Sequence, residues 1–522
     1  MPKSAPHAGF DRLRHSGRVQ EMKALIAFIL FIPLLHAAEK PRNVVFFLVD
    51  DLGVTDVSYD GSDPFYETPN LAEFAKTAVN FTNGYASCPV CSPSRSAIMT
   101  GQNPARTHHT DYFGAPNEFL NEIPKDYDPI RDFQNGKQQD SSLKKYPIWP
   151  APYSGNLSAS HTTLPEALKK HGYATFFAGK WHLGHEGHFP QDNGFDINIG
   201  GGQNGGPYGG KKYFSPYGNP QMKDGPDGEY LTERLGRETV DFIKANKDKP
   251  FLAYLSFYAV HQPIMAPNEV VKKYQEKRKK LGLGDEFAPE FPRKNRTNHS
   301  NPVYAAMIEK VDSVIGQVLA TLEAEGLAEN TLVIITSDNG GLSTSEELPT
   351  SNLPYRAGKG WLYEGGIRVP LLVRDPALPH PGQTCDEPVN STDFYPTILA
   401  ATGHEALPEQ TKDGVSFLPF LEKPDTAPTG RPLIWHYPHW SHQGGSPGTA
   451  IRQGKWKLIR WDWPARTELF DLSADPGEHH DLAAKNLDMV AELTGRIDSF
   501  LTETNAYRTA KNPDFTGMFD KW

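Results

Sequence analysis

An α/β fold built on a large doubly wound sheet is predicted by three features of this sequence. Short apolar runs alternate with segments of helical pattern. Four of those runs stop abruptly at clusters of charged, amide or imidazole side chains. After about residue 425 the pattern changes to strands with one wet face, followed by an amphipathic segment.

The first run, residues 44–49, is continuously apolar, as a parallel strand covered on both faces requires, and it ends at Asp50-Asp51. Residues 173–178 lead into Gly179-Lys180-Trp181-His182, and residues 251–260 into His261-Gln262-Pro263. Residues 332–336 lead into Ser337-Asp338-Asn339-Gly340. Helix-like segments lie between them at 70–79, at 164–171 behind Thr162 and Thr163, at 231–246 and at 304–325. Ligands of open α/β sheets bind beyond the carboxyl ends of the strands, so all four polar clusters are placed to meet. Each has a local explanation by itself, since an Asp pair caps helices and Asp-Asn-Gly makes turns. Their joint occurrence points to a site.

Residues 456–461 and 468–472 alternate like strands, Asp475-Pro476-Gly477 reads as a turn, and 483–502 as an amphipathic helix. A small antiparallel sheet with a packed helix is expected there. The chain is accordingly divided into 1–38, 39–425 and 426–522. Residues 435–442 hold three histidines and two tryptophans. They are expected either to close over the cleft, stacking on a sugar ring, or to pack between domains. The irregular segments 110–160 and 199–228 are expected to rim the site. The basic run 272–280 reads as a solvated helix face or as a track for an anionic substrate.

With 38% hydrophobic residues, 46 glycines and 45 prolines, the chain of 522 residues is globular and loop-rich. A net charge of −10 argues against a nucleic-acid partner, and any anionic substrate must be drawn by a local cationic cluster. Cys88, Cys91 and Cys385 build no disulfide framework and no zinc site. Cys88-Pro89-Val90-Cys91 also has the spacing of a redox pair. The apolar run 24–35 after Met22-Lys23 has the length of a signal peptide, with small residues for cleavage near Ala37 or Ala38. The true start is expected at Met22. Export to a bacterial periplasm or the extracellular space is expected, with no stable membrane span in the mature chain; a membrane anchor is the alternative.

The stretch from Cys91 to Gly101 is the most informative. Pro93 pre-sets a helical first turn and Gly101 can end the helix. Cys91 and Arg95 then share one face, with Cys91 at the positive end. A thiol there is either an activated thiolate or a small buried side chain.

Cys91-x-Pro93-x-Arg95 followed by Thr100-Gly101 resembles the signature of the type I, formylglycine-dependent sulfatases of the alkaline-phosphatase-like superfamily. The resemblance runs from about Asn43 to the end of the chain. Asp50 and Asp51 match the family's first metal-binding pair, and Asp338 and Asn339 the second. Lys180 and His182 match its second signature, and His261 the histidine facing the leaving group. Lys359, within the segment 358–370, matches the sulfate-binding lysine.

The resemblance implies an alkaline-phosphatase-like fold and an arylsulfatase-like hydrolase acting on a sulfated glycan or aryl sulfate. It implies that a maturation enzyme oxidises Cys91 to formylglycine, whose hydrate is a geminal diol. Asp50, Asp51, Asp338, Asn339 and an oxygen of modified Cys91 would hold one divalent cation. Oxygen donors select a hard ion without separating calcium from magnesium, and the family implies calcium. In the implied mechanism Asp338 takes a proton from the attacking hydroxyl while Lys180 and Lys359 clamp the sulfate. His261 protonates the leaving alcohol, Arg95 steadies the diol, and His182 takes the proton that lets the diol collapse. Two alternatives stay open. One is a phosphodiester or phosphonate monoester hydrolase of the same superfamily; the other is a non-catalytic sulfoglycan-binding protein with Cys91 unmodified.

Overall fold

Residues 43–49 form a strand because every side chain in them is apolar except Asn43, and both faces of the strand are covered. In the computed structural model, which describes residues 42–59, 61–120, 123–128, 145–378, 381–513 and 515, this strand is β1, Asn43–Val49. The expectations for residues 1–38 lie outside the described residues. The other strands of its sheet are β2 (Val79–Phe81), β3 (Ala174–Gly179), β4 (Ile197–Ile199), β5 (Phe251–Ser256), β6 (Thr331–Ser337), β7 (Leu371–Arg374) and β8 (Thr384–Cys385). Their order is β8-β2-β7-β6-β1-β5-β3-β4. β1 pairs in parallel with both β6 and β5, β5 with β3, and β3 with β4. β7 runs antiparallel to both β6 and β2, which makes the sheet mixed.

Alternation along β1 sorts its side chains between two cores. Val45, Phe47 and Val49 pack with helix α4 (Leu231–Ala245) and helix α6 (Pro302–Ala324). Val44, Phe46 and Leu48 pack on the other face, with α2 (Cys91–Thr100), α3 (Leu164–Lys169) and α7 (Phe394–Ala401). Helix α3 begins at the predicted place because Thr163 and Glu166 form a capping box. The expected helix over 70–79 is shorter: α1 is Pro69–Ala75, and residues from Val79 pair with β7 as an edge-side strand. The run 251–260 is likewise strand only to Ser256, after which the chain turns away to place His261. The basic run lies on α5 (Asn268–Leu281), where Lys273 and Lys277 pair with Glu67 and Arg278 with Asp285. It is a largely exposed helix face laced with ion pairs.

The C-terminal sheet has four antiparallel strands, two more than expected: β9 (Leu433–Tyr437), β10 (Gly448–Gln453), β11 (Trp456–Trp461) and β12 (Arg466–Asp471). Helix α8 (Leu487–Glu503) covers one face through Leu493, Ile497 and Leu501. The expected single helix over 483–502 is broken after the short 3-10 turn Ala483–Lys485. The other face packs Trp435, Ile459 and Trp461 on Val90, Trp361 and Tyr363. Among the described residues no helix is long and apolar enough to cross a membrane.

A buried ionic network fastens this sheet to the segment after Lys359. Lys457 on β11 sits 2.9 Å from Glu364 Oε1 and 2.7 Å from Glu478 Oε1, all three side chains being fully buried. Glu364 also accepts from Arg368 and from the Tyr85 hydroxyl. Burial, opposed by Lys457 and reinforced by Glu364, raises Glu478 to about 7. Lys457→Met removes the shared cation and should cost about 3–5 kcal/mol in urea unfolding, because two carboxylates are left facing each other. A carboxyl raised in the native state binds more protons there than when unfolded, so its contribution falls as pH rises. The variant's deficit should therefore be larger at about pH 8 than at about pH 5.

Candidate active site

Strands β6, β1, β5 and β3 are consecutive neighbours in the sheet, so the four polar clusters at their carboxyl ends stand side by side. Gly179 makes the closest of these junctions possible. Its φ is +107°, and a Cβ there would lie 1.7 Å from the Ser256 carbonyl oxygen. Lys180 N–H donates to that same carbonyl at 2.8 Å.

Helix α2 enters the cluster by its first turn. Val90 caps it in an extended conformation and Gly101 closes it at φ 70°, its N–H on the Ala97 carbonyl. All ten residues of the helix are buried. Cys91 Sγ lies 3.5 Å from His182 Nδ1. One turn later Arg95 Nη2 lies 2.7 Å from Asp338 Oδ2 and 3.3 Å from Asp50 Oδ1. Its Nη1 donates to the Lys180 carbonyl and to Ser256 Oγ, both at 2.7 Å. The guanidinium thus ties α2 to the ends of β1, β3, β5 and β6.

Lys180 Nζ donates to both oxygens of Asp50 at 2.9 and 2.7 Å, and Lys359 Nζ is 2.7 Å from Asp51 Oδ1. Asn339 Nδ2 donates to Asp51 Oδ1 at 2.8 Å. Three buried carboxylates are therefore interleaved with three buried cations. Asp51 and His182 both hold positive φ, 61° and 58°. Such conformations are disfavoured for non-glycine residues and gather at functional sites. His261 Nδ1 donates to the Gln262 carbonyl at 2.7 Å, which leaves Nε2 open, 3.9 Å from Asp51 Oδ2.

Protonation follows from burial and these neighbours. Burial raises Asp50 well above the usual carboxylate range, Lys180 opposes this, and Asp338 and Asp51 reinforce it. Asp51 is also penalised by burial, yet Lys359 and His261 hold it far below its ordinary value. Asp338 is lowered against the same burial by Arg95 and Lys180. Burial and Lys359 bring His261 down to about 4, and burial with Lys180 and Arg95 holds His182 well below its usual value. Burial also pushes the Cys91 thiol up, in spite of Lys180 and Lys359. The activated-thiolate reading is thereby corrected: desolvation outweighs the helix end. Burial raises Cys88 as well, against the low thiol pKa that a reactive C-x-x-C pair relies on.

The donor set suits a hard divalent cation. Ligand atoms of Asp50, Cys91 and Asp338 lie within 4.8 Å of one another. Asn339 Oδ1 is buried and has no hydrogen-bond partner among the described residues, an acceptor left for a ligand.

Two family descriptions match the sequence: Sulfatase over residues 42–404, and the C-terminal region of N-sulphoglucosamine sulphohydrolase over residues 357–505. The chain belongs to the sulfatase family. A sulfatase of Formosa agariphila is 30% identical, over 93% of this chain and 95% of that protein. The N-acetylgalactosamine-6-sulfatase of Homo sapiens is 29% identical, over 85% of this chain and 76% of that protein. The crystal structure of Ps i-CgsB in complex with k-i-k-neocarrahexaose superposes with a TM-score of 0.68 at 26% identity, covering 88% of this chain and 93% of that one. This sulfatase is a sulfuric ester hydrolase with the alkaline-phosphatase-like fold.

A cleft of about 270 Å³ opens onto Cys91, Lys359, His182 and His261. Lys180 lies beneath it, fully buried against Asp50. Of the two expectations for residues 435–442, packing holds for most of the segment. Trp435 and His436 belong to β9 and are buried, Trp435 donating to the Ala86 carbonyl. Trp440 stacks on Tyr146, and only His442 of this segment lines the cleft. Tyr112, Phe113, Glu346 and Gln443 also line it and were not singled out by sequence. The two aromatic residues lie in the segment expected to form the rim, which was the available signal. If the carboxylate cluster holds a divalent cation, adding one at about 100 times its Kd should raise stability by about 2.7 kcal/mol, read as a higher Tm. Asn339→Leu keeps the side-chain size, removes the free oxygen, and should sharply reduce that shift.

Proposed function

We propose that this sulfatase removes sulfate from a sulfated glycan, using Cys91 oxidised to formylglycine as nucleophile and a calcium ion as electrophile. The observation that carries the reading is the placement of Cys91 on the floor of the cleft. Two imidazoles, Lys359 and the buried carboxylates surround it there. A thiol held neutral by burial is a poor nucleophile at this position, so the chemistry is assigned to its oxidised form. Oxidation belongs to a separate maturation enzyme supplied with an external oxidant. Export to the periplasm or beyond, with cleavage near Ala37 or Ala38, is part of the same proposal.

Asp50, Asp51, Asp338 and Asn339, with an oxygen at position 91, would hold the cation. When bound it supplies Lewis acidity and lowers the pKa of a hydroxyl beside it. The chain's own residues do the rest. Lys180 and Lys359 neutralise the carboxylates in pairs. With a divalent cation sharing those carboxylates, the site carries an excess of positive charge for an anionic ester. Lys359 faces the sulfate from the cleft wall, and Lys180 supports it from below. Asp338, kept ionised by Arg95, is the proton acceptor for the attacking hydroxyl. His182, neutral and 3.5 Å from Cys91 Sγ, can take the second proton. His261 presents Nε2 toward the leaving oxygen because its Nδ1–H is spent on Gln262. An anionic ester beside it favours the imidazolium that Lys359 opposes, so the acid forms when substrate is present.

Mass spectrometry of the peptide containing Cys91 should show one oxygen in place of the sulfur and two hydrogens in material made with a maturation enzyme. An unmodified, fully active thiol enzyme would overturn the nucleophile assignment. Cys91→Ser should accept sulfate once and stall as a covalent sulfoserine. Lys359→Ala should lose about 10²–10³ in kcat/KM, by analogy with removal of an oxyanion donor. His261→Ala should lose about 10²–10⁴ on an alkyl sulfate, and less on 4-nitrophenyl sulfate, whose leaving group needs little protonation. Equal losses on both substrates would remove His261 from the acid role.

A further inference from the structure

Glu346 stands apart from the catalytic groups, at the mouth of the same cleft. It follows β6 in a segment that returns toward Lys359, and it holds a positive φ of 57°. Its Oε1 accepts from His442 Nε2 at 2.8 Å and from Gln443 Nε2 at 3.0 Å. Both partners come from the C-terminal region, so the carboxylate is gripped from a different part of the chain. Its Oε2 is buried and has no hydrogen-bond partner among the described residues. A carboxylate so placed retains acceptor capacity that none of the described residues uses. Burial and the Asp51 charge push the carboxyl up, but the His442 hydrogen bond, Lys359 and His261 outweigh them and hold it below its ordinary value. It is therefore an acceptor and an anion. Tyr112 and Phe113 form an aromatic wall of the same cleft, with the Tyr112 ring 5.8 Å from that of His442.

An aromatic wall beside a buried acceptor-only carboxylate suits a sugar ring, whose apolar face stacks while a ring substituent donates. We propose that Glu346, held by His442 and Gln443, is the specificity residue of this enzyme: it accepts a hydrogen bond from a hydroxyl or amine of the sulfated sugar. The same negative charge repels a second sulfate or a ring carboxylate at that position, so the preferred ring is singly sulfated. This inference rests on the sulfated-glycan reading above and goes further, naming the residue that reads the ring and the chemistry it accepts. A site built to accept from a donor is left with an unpaired buried group by substrates that lack one, and rejects them.

The test compares kcat/KM for galactose 6-sulfate and glucosamine 6-sulfate with that for 4-nitrophenyl sulfate, which offers no ring donor. In Glu346→Gln and Glu346→Ala the sugar-to-aryl ratio should fall about 10–100-fold, the range for one charge-assisted hydrogen bond. His442→Ala, which loosens the carboxylate without removing it, should move the ratio in the same direction by less. A larger fall for glucosamine 6-sulfate marks the amine as the donor; equal falls mark a hydroxyl. An unchanged ratio in the Glu346 variants, or a wild-type enzyme that cleaves the aryl ester and neither sugar, overturns the assignment. If the wild type releases sulfate from none of the three, the hydrolase mechanism fails separately. Calorimetric titration of galactose 6-sulfate then decides Glu346: weaker binding to Glu346→Gln than to wild type supports it, and equal or absent binding overturns it.

Discussion

Three carboxylates taken out of water at one point are the constraint around which this molecule is arranged. Asp50, Asp51 and Asp338 are each no more than 1% exposed. A buried charge without a partner is strongly destabilising. Compensation comes from Lys180, Lys359 and Arg95, which arrive on a neighbouring strand end, a distant loop and the first turns of α2. None of these pairings is local in sequence, so the site exists only once the sheet order β6-β1-β5-β3 is complete. The glycine before Lys180 and the positive φ of Asp51 and His182 are the backbone's concessions to that crowding.

The C-terminal sheet has a part in the site although it carries no catalytic group. Its inner face packs on Val90 and Trp361, the residues flanking Cys91 and Lys359. The Lys457–Glu364–Glu478 network then locks the end of the Lys359 segment from the same side. Gly360 N–H donates to the Pro89 carbonyl at 2.8 Å, which joins the Lys359 segment directly to the approach of α2. Cys91 and Lys359 are thereby joined through one seam.

Much of this was legible in the chain because parallel strands covered on both faces read as unbroken apolar runs, and a polar stop after each run marks the sheet's carboxyl edge. Cys91 and Arg95 were placed correctly on one helix because the first-turn proline and the terminating glycine are local signals. The short strands β2 and β8, and β9 and β10 of the small sheet, are not visible along the chain. Two to six residues that take their conformation from a partner strand carry little periodicity of their own. The helix expected to 79 failed for the same reason, since Val79 and Asn80 are recruited by β7.

Residue types, and the sheet edge on which they gather, are written into the linear chain, since strand pattern and helix capping are each encoded within a few neighbouring residues. Folding alone settled which cation neutralises which carboxylate, that burial pushes the Cys91 thiol up, and that Glu346 reaches the cleft. Those outcomes depend on burial and on contacts between segments up to 308 residues apart, as in the Lys359–Asp51 pair, where no local pattern carries the information.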